Sequence, residues 1–428
     1  IALGIYLIGF YVILYFYPEH LVNWVIMVDP LSRLISGNPA SQWFLYGFLY
    51  TLAILVMGVR MMIRYRHNRY QVIRTISVMF FQTAFAFLIP EILVRLNQPY
   101  YDFKNIWPLD YDFFFGYNID NLIQSGGLGI FMLVWGIALV IIGVPVITYF
   151  YGKRWYCSWV CGCGGLAETL GDPYRHLSDN SLMGWQIERI IVHGVLAFAV
   201  VMTGLTLYTY FSNDPMQIGI NRWLIIGLLW FAAAGLFTYH RKLFPKVSRQ
   251  KMINMIGIFA GIPTAILLFS IYSDQSQTLF MSSYEVRKWY GFYIGATFSG
   301  VVGTGFYPFM GNRVWCRFGC PLAAYLGIVQ RFKSRFRITS NGGQCISCGN
   351  CSVYCEMGID VRWYAQRGQD VVRASCVGCG ICSAVCPRGV LRLENSSKDI
   401  STRTVETRAI LIKDEEVKLA EDEKIGLQ

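Results

Sequence analysis

CISCGNCSVYC (Cys345–Cys355) and CVGCGICSAVCP (Cys376–Pro387) repeat one spacing, C-x2-C-x2-C-x3-C, in the C-terminal part of the chain. That spacing belongs to the bacterial two-cluster iron–sulfur arrangement. Three closely spaced thiolates on a tight loop reach three irons of one cubane. The fourth cysteine, on the helix after the loop, points to the other cubane. Cys345, Cys348, Cys351 and Cys386 are therefore expected to hold one [4Fe–4S] cluster, and Cys376, Cys379, Cys382 and Cys355 the second. Gly349, Gly378 and Gly380 suit the bends around each cubane, where a Cβ is in the way. A pair of zinc sites would also use four thiolates each, but zinc does not require two identical runs ending in x3-C. Glu356 stands where the first run has room for a proline, which is expected to change a loop and not a ligand.

Upstream of these runs the composition changes. Hydrophobic residues make up 54% of the chain and charged residues only 15%, too little charge for a soluble protein of this size. Apolar runs near the length of a membrane span lie at Ile1–Tyr17, Trp43–Ile63, Thr75–Val94, Gly127–Tyr149, Ile187–Phe211, Trp223–Tyr239, Ile253–Ser273 and Trp289–Met310. The expected fold is a polytopic α-helical membrane protein of about eight transmembrane helices in two four-helix halves, followed by a C-terminal α+β ferredoxin-like double-cubane domain. The segments are a first half (1–150), a turn (151–186), a second half (187–310), a connector (311–344), the two-cluster domain (345–394) and a charged tail (395–428).

The net charge of +11 does not point to nucleic acid. Its basic residues crowd into short loops, as on the cytoplasmic face of membrane proteins. Arg64, Arg66, Arg69 and Arg74 form one such loop, Lys153 and Arg154 a second, and Arg241, Lys242, Lys246, Arg249 and Lys251 a third. All fall on one side if eight spans alternate. The loop Asn97–Ser125, with Asp102, Asp110, Asp112 and Asp120 against a lone Lys104, falls on the other. The chain begins with Ile1 and not Met, so further sequence is expected upstream.

GKRWYCSWVC (Gly152–Cys161) aligns with GNRVWCRFGC (Gly311–Cys320), and both come after a fourth apolar run. Membrane proteins built from parallel repeats often place sites at the junction. Cys157 and Cys161, like Cys316 and Cys320, are one helical turn apart and share a face. Four sulfurs converging there suit an iron–sulfur centre, zinc or Cu(I). Lys153, Arg154, Arg313 and Arg317 are expected to favour the thiolates. Cys163, the thirteenth cysteine, could replace one of these ligands, but no role is assigned to it.

Two CxxxC turns after apolar spans, with a double-cubane domain behind them, resemble the membrane polyferredoxin group. That group includes the nitrous oxide reductase regulator protein, the quinol-oxidising subunit of periplasmic nitrate reductase and a copper-reducing cytochrome oxidase assembly protein. CRFGCP matches the group's turn at Cys316, Cys320 and Pro321, whereas Gly162 and Cys163 depart from it in the first turn. The resemblance implies a multi-pass protein of the bacterial inner membrane, with the ferredoxin domain in the cytoplasm. It also implies electron exchange between a quinone pool, [4Fe–4S] clusters and other redox subunits, or copper reduction in the maturation of a respiratory metalloenzyme.

Weaker signals are Glu91 and His193, ionisable groups in apolar runs and so candidates for quinone contact. Arg95 is positioned to pair with Glu91. RFKSRFR (Arg331–Arg337) reads as a basic strip along an anionic leaflet. In the tail, Ile410–Ile412 reads as a strand and Asp414–Lys424 as a short helix or disorder. Two cubanes require about eight irons per chain, four in each. Iron and acid-labile sulfide analysis of the purified protein should reach at least that number, and a colourless, zinc-loaded protein would overturn this reading.

Overall fold

The computed structural model describes residues 2–212, 217–243, 250, 253, 256–274, 278–395, 410–413 and 416–419. Its helices start where side chains can cap them. The Ser41 hydroxyl accepts from the Phe44 N–H at the start of Gln42–Arg64, and Asn68 accepts from the Gln71 N–H at the start of the next helix. The short basic turn between Arg64 and Arg69 therefore folds the chain back on itself.

Among the described residues, four helices are long and apolar enough to cross a membrane: Gln42–Arg64, Arg69–Arg95, Gly127–Tyr151 and Leu182–Ser212. Ala2–Phe16 and Pro18–Ile35 make a fifth if the pair, bent by 113°, is one span. Pro18 explains the bend, because it cannot continue the preceding helix. Within the residues whose side chains are described, the apolar stretches Arg222–Gly235 and Ile262–Ser273 are shorter. The last expected span is broken into Ser283–Tyr290, a widened stretch Gly291–Val302, and Tyr307–Met310. The expected eight spans thus appear as four or five by length and apolarity, and the basic turn 241–251 lies mostly outside the described residues.

Prolines inside helices are accommodated by wide turns. Phe81–Leu88 precedes Pro90 and Leu139–Gly143 precedes Pro145, whereas Pro321 opens a new helix after the extended Cys320. Proline lacks an N–H and crowds the carbonyl four residues back, and the wider i→i+5 register relieves that.

Two compact units emerge. One comprises Val201–Gly291. In it, Gln217–Asn221 and Thr278–Ser282 pair antiparallel, with Ile220 opposite Leu279, where the sequence suggests only connections. The indole N–H of Trp230 donates to Thr264 Oγ1 at 3.1 Å, tying Arg222–Leu243 to Ile262–Asp274.

The other unit comprises Ile1–Val200 and Phe292–Gln428, and it contains all thirteen cysteines. Its ferredoxin portion has one antiparallel strand pair, Arg337–Ser340 with Leu391–Glu394. In the tail, Glu416–Leu419 is a strand paired with Ile410–Lys413, not part of a helix, and the rest of 414–424 is outside the described residues. The loop 97–115 folds inward. Tyr101 donates to the Met132 carbonyl, and Ile106 is buried in the same apolar cluster as Cys157, Cys161, Cys316 and Cys320.

A buried ion network joins the ferredoxin portion to the helices. Glu356 is completely buried and pairs with Arg175 at 2.6 Å and Arg313 at 3.0 Å. Glu168 in turn pairs with both Arg313 and Arg74. Asp172 pairs with Arg175 at 2.7 Å and Arg64 at 2.5 Å. Burial disfavours a charged Glu356, but Arg313, Arg175 and Arg74 outweigh it and hold the carboxyl down at about 2. Removing one partner of such a pair leaves charge uncompensated and costs about 3–5 kcal/mol. Glu356→Gln should therefore lower the thermal midpoint of the detergent-solubilised protein markedly. The exposed pair Arg33–Asp29, broken by Asp29→Asn, should hardly change it.

Candidate metal centres

Each ferredoxin loop turns on a left-handed glycine. Gly349 (φ 82°) leads into the short helix Asn350–Val353, and Gly380 (φ 79°) leads into Ile381–Ala384. These turns place Cys351 and Cys382 on the helices and the two preceding cysteines on the loops. Cys345, Cys348, Cys351 and Cys386 line one cavity, and Cys355, Cys376, Cys379 and Cys382 line another. In both, the fourth cysteine comes from the other run.

Four cysteines round each cavity, the fourth drawn from the other run, are the crossed sets that two cubanes require, whereas a zinc ion would need all four sulfurs about 2.3 Å from one point. Among the described residues, no three His, Cys, Asp or Glu side chains are grouped so as to hold a single metal ion.

The two cavities differ in surroundings. Cys348 is exposed and Cys345 and Cys386 are half-buried, whereas Cys376, Cys379 and Cys382 are buried. Side chains from the helical portion grip the second loop by its carbonyls. Tyr70 donates to Gly378 O (2.9 Å), Gln71 to Cys379 O (2.8 Å), Ser158 to Val377 O (2.8 Å) and Gln330 to Cys376 O (2.9 Å). Gly378 itself has no room for a Cβ, which would meet Arg154 and Phe336. Burial pushes the Cys355 thiol up to about 12 and raises Cys376 and Cys382 as well. Iron bound there would supply the positive charge that drives off such protons.

The repeated turns converge as well. Cys157, Cys161, Cys316 and Cys320 share one buried cluster, with Cys163 packed against it. The cations expected to favour thiolates do less than expected. Lys153 spends its ammonium on the carbonyls of Ala323 and Ala374, Arg154 stacks on Phe336, and Arg317 pairs with Glu188 at 3.0 Å. Only Arg313 reaches a sulfur, at 3.6 Å from Cys316. Burial prevails, pushing Cys157 up to about 12 and raising Cys316 and Cys320.

Cys161 is the exception. A hydrogen bond from Cys163, with help from Lys104 and Arg313 against burial, lowers it to about 6. Cys163 and Lys104, which have no role in the sequence pattern, both act on this group. The signal for Lys104 was its isolation among four aspartates.

The two weaker candidates separate. Glu91 lies outside all three cavities described, and Arg95 donates to the Leu34 carbonyl. His193, its Nδ1 2.7 Å from the Arg189 carbonyl, lines a third and larger cavity together with Cys316.

Comparisons with known proteins agree with this geometry. Residues 344–391 match the family described as a 4Fe-4S dicluster domain. Residues 130–179 and 293–339 each match the family described as a 4Fe-4S binding domain, so the two CxxxC turns fall in two copies of one domain. The "Putative electron transport protein YccM" of Escherichia coli (strain K12) is 25% identical over 241 residues, 56% of this chain. The chain spans about half (52%) of that curated relative's length. No solved structure matches. The chain thus carries 4Fe–4S ferredoxin-type domains and has a distant relative named for electron transport.

The crossed cysteine sets can be checked by loss of iron. Cys345→Ala with Cys386→Ala should cost about four irons, one cubane's worth, although the two lie in different runs. Cys345→Ala with Cys355→Ala, both in one run, should cost about eight.

Proposed function

We propose that this chain is a membrane-bound iron–sulfur electron-transfer subunit of the membrane polyferredoxin type. It relays electrons between cytoplasmic [4Fe–4S] clusters and a quinone or another redox subunit in or beyond the membrane. The observation that carries this reading is the order of its three cysteine groups. The first opens to solvent at Cys348, the second is gripped by the helical portion, and the third is buried among the apolar helices. The eight ferredoxin cysteines would hold two clusters, and Cys157, Cys161, Cys316 and Cys320 a further centre. Such clusters supply reversible one-electron storage.

The residues of the chain do the rest. Arg313 and Glu356 fix the ferredoxin portion against the helices. Backbone N–H groups of Ala323 and Ile359 donate to Cys320 and Cys355, each at 3.4 Å, favouring their thiolates. Tyr70, Gln71, Ser158 and Gln330 keep the second loop from moving when its charge changes, which lowers reorganisation. We place this machinery in a bacterial inner membrane, with about eight spans in two repeated halves and the ferredoxin portion in the cytoplasm. The twofold match to one 4Fe-4S domain supports the repeat. Glu91 and His193 remain the proposed quinone contacts in the spans.

A fifth sulfur favours a second reading. Cys163, bonded to Cys161, makes the buried group richer in thiol than one cubane needs, and soft thiolates suit Cu(I). The protein would then reduce or hand on copper for a respiratory enzyme. Replacing Cys316 and Cys320 with alanine separates the two. Membranes of the variant should lose electron flow from a reduced cytoplasmic donor to quinone at least tenfold while keeping about eight irons. Unchanged flow with lost copper loading would replace the first reading by the second.

A further inference from the structure

The third cavity, about 260 Å³, has a charge imbalance that electron transfer does not explain. Lys153, Arg189, Arg317 and Arg373 line it against the carboxylate of Glu188, while Arg331, also on its wall, has an interaction of its own. Glu188 is already spent on Arg317, 3.0 Å away. Lys153 is satisfied by two carbonyls. Arg189 and Arg373 lie against the same indole, 5.0 Å and 4.4 Å from the Trp185 ring, and no carboxylate among the described residues pairs with either. The Arg373 Nε is buried without a hydrogen-bond partner. An anion that reached both guanidiniums would gain from each, since both lie against one ring.

The shape of the cleft comes from spacing. Trp185, Glu188, Arg189 and Val192 share one face of the helix Leu182–Ser212. Ala323, Ala324 and Gly327 present a small-residue face of Pro321–Lys333, which leaves the space open. On the other side of the same turns, away from the cleft, Ile187, Ile190 and Ile191 are exposed. The charged mouth thus sits at the end of a membrane-length helix whose opposite face is aliphatic, the level at which a phosphate headgroup would lie. Basic pockets of this kind at the cytoplasmic ends of spans take anionic headgroups, and arginine pairs bind phosphate oxygens in parallel.

We propose that this cleft is a binding site for the phosphate headgroup of an anionic phospholipid, held by Arg189 and Arg373. A neutral quinone ring would meet His193, the proposed quinone contact on the wall of this cavity, but leave both guanidiniums without a counter-charge. The inference rests on the membrane reading of Leu182–Ser212 and not on the clusters, so iron content reports separately on the proposed function.

Native mass spectrometry of the full-length, delipidated protein tests it. One phosphatidylglycerol should be retained per chain at least tenfold more tightly than phosphatidylcholine. Arg189→Gln with Arg373→Gln should bring the two lipids level. Since Arg189 is exposed, Arg189→Gln alone guards against misfolding and should weaken retention at least threefold with iron content unchanged. Equal retention of both lipids by the wild type, or full retention by the variants, overturns the proposal. Displacement of the lipid by equimolar inorganic phosphate would make the cleft a site for a soluble phosphate compound, and displacement by an equimolar water-soluble quinone a quinone site. Either also overturns it.

Discussion

Glu356 sits fully buried between Arg313 and Arg175, and the architecture of the cysteine groups depends on that contact. Its neighbour Cys355 completes the second cysteine set, while Arg313 bonds the Cys157 carbonyl and approaches Cys316. One side chain pair thus fixes the ferredoxin set and the CxxxC set in a common frame. The buried charges balance only as a group: Arg74, Arg175 and Arg313 against Glu168, Asp172 and Glu356, with the part-exposed Arg64 joining at Asp172. Networks of this kind add little net stability compared with apolar packing, but they hold one geometry and penalise others heavily. For electron transfer between separate sites, one geometry is what matters.

The same principle operates at the second loop. Four side chains from the helical portion donate to four consecutive carbonyls, Cys376 through Cys379. A loop held by its backbone keeps its cysteines in place whatever their charge. The first loop has no such grip and opens to solvent. The asymmetry gives the ferredoxin portion an inner and an outer end.

Much of this was legible in the residues. Spacing alone grouped the eight ferredoxin cysteines into the sets that line each cavity, because C-x2-C-x2-C fits one loop and the x3-C residue falls on the far side. The matching turns at Cys157 and Cys316 pointed to the convergence that the structure contains. Helix count was less legible. Pro18 turns the chain just after the first apolar run into a helix that hydropathy does not separate from it, and the last run is divided between Gly291 and Gly305. The role of Glu356 was hidden because a carboxylate after Cys355 means nothing until Arg313, distant in sequence, is beside it. Lys104 was hidden for a related reason: a loop that reads as polar and external dips in to bury Ile106 among the cysteines.

The exposure of Cys348 has a further consequence. Oxygen and chelators in the surrounding water meet this outer sulfur set first, while the gripped set is shielded by protein. Corrosion would then start at the tip and stop at the gripped loop. A weathered molecule would lose its outer set yet keep its interior intact, a fault that repair at a single accessible set can reverse.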